Sequence, residues 1–65
     1  MSLVTRYQYR IYQPREPDRP LHVSACLFAS LSACELEGEE AARFTEQQHG
    51  LPPGSLTFQV ATKRV

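Results

Sequence analysis

Residues 3–13, LVTRYQYRIYQ, alternate with a period of two. Leu3, Thr5, Tyr7, Tyr9 and Ile11 fall on one side, and Val4, Arg6, Gln8, Arg10 and Tyr12 on the other. Successive side chains of a strand point to opposite faces, and aromatic and β-branched residues suit a pleated surface, so a first strand is predicted here. A second alternating run opens at Leu21. Its odd positions are Leu21, Val23, Ala25, Leu27, Ala29, Leu31 and Ala33; its even ones are His22, Ser24, Cys26, Phe28, Ser30, Ser32 and Cys34. A helix through these residues would have no coherent apolar stripe, so residues 21 to about 30 are expected as a second strand. The last segment, SLTFQVATKRV, sets Leu56, Phe58 and Val60 against Thr57, Gln59, Ala61 and Lys63, and predicts a third.

The segments between are read from their breakers and caps. PREPDRP has prolines at 14, 17 and 20, which cannot donate to a ladder, so 14–20 is expected as a proline-rich hairpin loop. Ser32 followed by Glu35 has the spacing of a capping box, and a helix is expected from there to His49. Glu35, Glu37, Glu39 and Glu40 sit in its first half, where the helix dipole favours negative charge. Gly38 opposes it, since a mid-helix glycine costs about 1 kcal/mol relative to alanine. The expected apolar stripe is thin: Leu36, Ala41 and Phe44, with Ala33. Gly50 then Leu51 predicts a left-handed C-cap, and LPPG ends the helix.

The order β-β-α-β over residues 1–65 defines one small α+β domain. Its three-stranded, largely antiparallel sheet carries one helix on one face. Consecutive strands one and two pair, and the helix returns the chain beside strand one, giving the spatial order 2-1-3. A chain of 65 residues buries only about 60% of its unfolded surface, so a partner or a staple is expected. Two cysteines are too few for a disulfide framework. No signal segment is evident, and no run approaches the roughly 18 apolar residues of a membrane span. The expected setting is cytoplasmic.

Net charge is zero, but the charges segregate. If the helix covers the more apolar face, the other carries Arg6, Gln8, Arg10, Tyr12, His22, Cys26, Phe28, Gln59 and Lys63, with no acid. Five of the seven acids lie in 35–46. A solvated face with aggregation-blocking cations accounts for this pattern without any function. A protein-association face accounts for it too, with Phe28 and Tyr12 as an apolar centre inside a polar rim, for another protein or a second copy. The third reading is single-stranded nucleic acid stacked on the same aromatics. The expected function is a small regulatory, accessory or inhibitor-like module that self-associates or docks to another protein through this face, with single-stranded nucleic acid as the alternative. Its expected contact residues are Arg6, Arg10, Tyr12, His22, Phe28 and Lys63.

Site chemistry is sparse. His22, Cys26, Cys34 and His49 are zinc ligands by type, but their spacing is wrong, and His22 and Cys26 on one strand would lie about 13 Å apart. Cys26 and Cys34 would lie about 26 Å apart along an extended strand, too far to bridge. Cys34 is a candidate reactive thiol, because a helix N-terminus lowers a thiol's pKa. No glycine-rich phosphate loop and no paired catalytic carboxylates are seen, so no enzyme activity, cofactor, metal or small-molecule substrate is expected.

Overall fold

The computed structural model describes residues 3–65. Strands β1 (Thr5–Gln13) and β2 (Glu16–Val23) precede helix α1 (Leu31–Gln48) and strand β3 (Thr57–Arg64). The sheet order is β2-β1-β3, with both pairings antiparallel. Element order, strand neighbours and the single helix all follow the pattern read from the sequence.

The second strand does not lie where alternation puts it. It starts at Glu16, so the turn shrinks to Pro14 and Arg15. Prolines fit because β2 is an edge strand, where half the backbone donors face outward and are not needed. The pairing is correspondingly irregular. Arg10 faces Val23 and Ile11 faces His22, but Tyr12 faces Pro20 and Gln13 faces Glu16, with a register shift on each side of Tyr12.

Beyond Val23, one serine ends the ladder. Ser24 donates its N–H to Tyr9 O (3.0 Å), and its Oγ accepts from Tyr9 N–H (3.3 Å) and donates to Cys26 O (3.0 Å). Residues 25–27 loop out, and the chain rejoins β1 at Phe28, which exchanges both backbone bonds with Tyr7 (2.7 and 2.9 Å). Alternation past Val23 therefore reflects one isolated bridge rather than a strand.

The helix begins one residue after Ser30, whose Oγ accepts from Ala33 N–H at 3.3 Å, and not at the Ser32 capping box. Its other end is as expected. Gly50 has φ 66°, Gly50 N–H donates to Gln47 O (3.2 Å) and Leu51 N–H to Glu46 O (2.8 Å). Both bonds of a Schellman cap are present.

The buried stripe of α1 is Cys34, Gly38, Ala42 and Glu46, each one turn from the last. Leu36 and Phe44, expected inside, are 61% and 59% exposed. The sheet supplies the bulk here, through Tyr9, Ile11 and Phe58, so the helix must offer small residues to approach it. A Cβ on Gly38 would lie 2.8 Å from a Phe58 ring carbon and 3.1 Å from Tyr9 Cβ. The glycine that weakens the helix is the one that lets it dock. The core is Ile11, Ala42 and Leu56, flanked by Tyr9, Ala41, Leu51 and Phe58.

Helix α1 lies over β1 and β3 and leaves β2 without cover. The result is a slab of 46 × 22 × 15 Å. Its radius of gyration is 12.6 Å, whereas a compact domain of this length has about 11 Å.

Candidate protein-binding face

The face of the sheet turned away from α1 is built by the ladder. Tyr9 packs beneath the helix and Ile11 is in the core, so Arg6, Gln8, Arg10 and Tyr12 point the other way. Cross-strand partners share a face. Lys63 therefore stands beside Arg6, Ala61 beside Gln8, Gln59 beside Arg10 and Thr57 beside Tyr12. From β2, Val23 joins Arg10 and Pro20 joins Tyr12. No second helix or sheet covers these residues among those described.

Four of the expected contact residues, Arg6, Arg10, Tyr12 and Lys63, are thus brought together. His22 and Phe28 are not. His22 pairs with Ile11 and Phe28 with Tyr7, which puts both on the helix side. Their rings lie 6.2 and 6.0 Å from that of Tyr9. The irregular pairing explains the correction, because one extra residue in a strand sends the following side chains to the opposite face. Cys26, expected on the open face, is in the looped segment and exposed.

The electrostatics of the open face are unfavourable in isolation. Arg6 and Lys63 are direct cross-strand partners, and like charges placed so destabilise a sheet. Among the described residues no carboxylate pairs with Arg6, Arg10 or Lys63; the ion pair is Arg43–Glu46, on the helix. Glu35, Glu37, Glu39 and Glu40 are exposed on α1. The slab therefore carries opposite charge on its two sides.

On the helix side lies a buried carboxylate that no sequence pattern marks. Glu46 is 2% exposed. Its Oε2 accepts from Leu56 N–H at 2.8 Å, while Arg43 donates to Leu56 O at 3.0 Å. Together the two side chains hold both polar groups of one peptide residue, as a neighbouring strand would. Arg43 Nε and Glu46 Oε1 are 3.1 Å apart, close enough for an ion pair but misaligned for a hydrogen bond. The Leu56 N–H holds the Glu46 carboxyl below its ordinary range despite the opposing cost of burial, with the Gly54 and Ser55 amides and Arg43 adding to the effect. In the sequence this pair is one of several charged spacings on a charged helix, and nothing marks it.

Cys34 is fully buried. Burial, with Glu35 adding, pushes its thiol pKa up, reversing the expected lowering. Tyr9 is likewise raised, by burial and then by Glu37 and the two cysteines. A cleft of about 500 Å³ between α1 and β2 is lined by Tyr9, Leu21, His22, Phe44 and His49 among others. Both cysteines are free, and among the described residues no three His, Cys, Asp or Glu side chains are placed to share a metal. No helix among them is long and apolar enough to cross a membrane. No known protein family, curated protein or solved structure matches this chain.

Proposed function

We propose that the protein is a small binding module whose open sheet face docks an acidic surface of another protein, as an accessory or regulatory subunit. The observation that carries this reading is the Arg6–Lys63 pair, two cations set side by side without a carboxylate. A partner's carboxylates would relieve that repulsion and form charge-assisted hydrogen bonds with Arg6 and Arg10. Packing two open faces on each other would instead bring cation against cation, so an unlike partner is favoured there. Free thiols at Cys26 and Cys34 agree with a cytoplasmic setting.

The loss of Phe28 and His22 from this face leaves Tyr12 as its one aromatic among the described residues. Base stacking is thereby weakened relative to protein docking. Fluorescence anisotropy with a glutamate-rich peptide and, separately, a single-stranded oligonucleotide tests the choice. The peptide should bind at low salt, and Arg6→Ala with Lys63→Ala should weaken it about tenfold or more. Oligonucleotide binding that fails on Tyr12→Ala would transfer the face to nucleic acid. No binding of either probe at low salt would end the proposal.

A further inference from the structure

The two edges of the sheet are built differently. The β2 edge carries Pro17 and Pro20, the charges of Glu16, Asp18 and Arg19, and two register shifts. Those are the devices that stop a strand edge from pairing with another chain. The β3 edge has none of them except terminal charge. It pairs with β1 through eight successive partners without a shift, and among the described residues no strand lies beyond it.

The free polar groups of that edge can be assigned. Val4 and Val65 exchange both backbone bonds, at 2.7 and 2.9 Å. In an antiparallel ladder such pairs alternate with pairs that exchange none. Lys63, Ala61, Gln59 and Thr57 therefore bond inward to β1, whereas Phe58, Val60, Thr62 and Arg64 direct their N–H and C=O groups outward.

We propose that β3 pairs antiparallel with β3 of a second copy of this chain, centred on Ala61, to make one six-stranded sheet. In this register Phe58 meets the partner's Arg64 and Val60 the partner's Thr62, so all four outward residues of each copy are bonded. Ala61 faces its own counterpart at a non-bonded site, where Cα atoms come within about 4.5 Å and a small side chain fits. Lys63 meets the partner's Gln59, so no like charges oppose. Centring on Val60 instead would set Arg64 against Leu56, whose backbone is already held by Arg43 and Glu46. Centring on Thr62 would set Phe58 against a position outside β3.

The helix supplies an independent check. Because α1 straddles β1 and β3, its axis lies about half a strand spacing inward of β3, between it and β1. With strands about 4.8 Å apart, the twofold sets the two helices side by side at roughly 10 Å, the distance at which helices pack. Arg43 reaches Leu56 at the start of β3, so Leu36, two turns earlier on the same side of α1, turns toward the partner helix. A 61%-exposed leucine gains a cover. This interface does not depend on what the open face binds, and the two open faces join into one basic floor.

Light scattering over a dilution series should show mass rising from one chain, 7.4 kDa, to two. Thr62→Pro removes only an outward N–H, as edge prolines do; it should yield a monomer with an unchanged circular dichroism spectrum. In a Cys26→Ser background, Ala61→Cys should oxidise to a covalent dimer and Thr57→Cys should not, since a disulfide needs Cα atoms within about 7 Å. A monomer at all concentrations, or a dimer that survives Thr62→Pro, would overturn the proposal. If Thr62→Pro fails to fold, the cross-linking pair decides alone: absence of the Ala61→Cys dimer overturns it.

Discussion

The covered and open faces of the sheet come from the same alternating strand, yet they are held to different standards. On the covered face the helix sits close over β1 and β3: Gly38 lies against Phe58 and Tyr9, Ile11 is fully buried, and Glu46 and Arg43 hold the backbone of Leu56. On the open face the side chains are half-exposed or exposed, and one cross-strand pair near the end of the ladder, Arg6 and Lys63, is repulsive. The difference separates residues that hold the fold together from residues that the fold leaves free to meet something else.

Substitutions can break or sharpen this contrast. Ile11→Ala should have the largest effect, about 2–5 kcal/mol, which in a domain this thin leaves little folded protein by circular dichroism at room temperature. Its strand neighbour Arg10→Ala should shift the urea midpoint little. Gly38→Val should come next, costing about 1–3 kcal/mol by overpacking. A mid-helix Gly→Ala change usually gains about 1 kcal/mol; here Gly38→Ala should gain none, because its Cβ meets the Phe58 ring.

Acid comes third. The Glu46 carboxyl titrates lower folded than unfolded, so its stabilisation is present above about pH 4.3 and is lost as pH falls through the folded value. Thermal melts from pH 6 to pH 2 should show a fall that Glu46→Gln flattens while lowering the whole curve. The smallest effect has the opposite sign. Lys63→Glu should raise stability by about 0.5 kcal/mol, converting a like-charge cross-strand pair into an opposite one, or roughly 2–4 °C in Tm for a domain of this size. The same change should abolish acidic-peptide binding. A lowered Tm would show that the pair is not a stability cost.

Alternation and capping made much of this architecture legible. β1, β3, the Schellman end at Gly50 and the order β2-β1-β3 follow from local pattern and connection rules. β2 did not, because an edge strand tolerates prolines that a central strand excludes, and because Ser24 diverts an alternating run out of the ladder. The helix face was misread for a related reason. Hydrophobicity picks Leu36 and Phe44, but contact with a sheet of large side chains selects by size and favours Cys34, Gly38 and Ala42. Four of the six residues expected to make contact share the open face because they lie on the regular β1–β3 pairing. His22 and Phe28 lie on the irregular side, where register is set by bulges that periodicity does not encode.

The hold of Arg43 and Glu46 on Leu56 has a kinetic consequence. Their carboxylate and guanidinium take the place of a strand beside Leu56, but only after α1 has formed and turned that side toward it. The residue before β3 is thus held by the helix and the ladder of β3 itself by β1, tying a local element to a pairing across most of the chain. The Leu56 amide has no partner unless both are in place. Its hydrogen exchange should therefore report opening of the whole molecule, while amides of β2 exchange through local fraying.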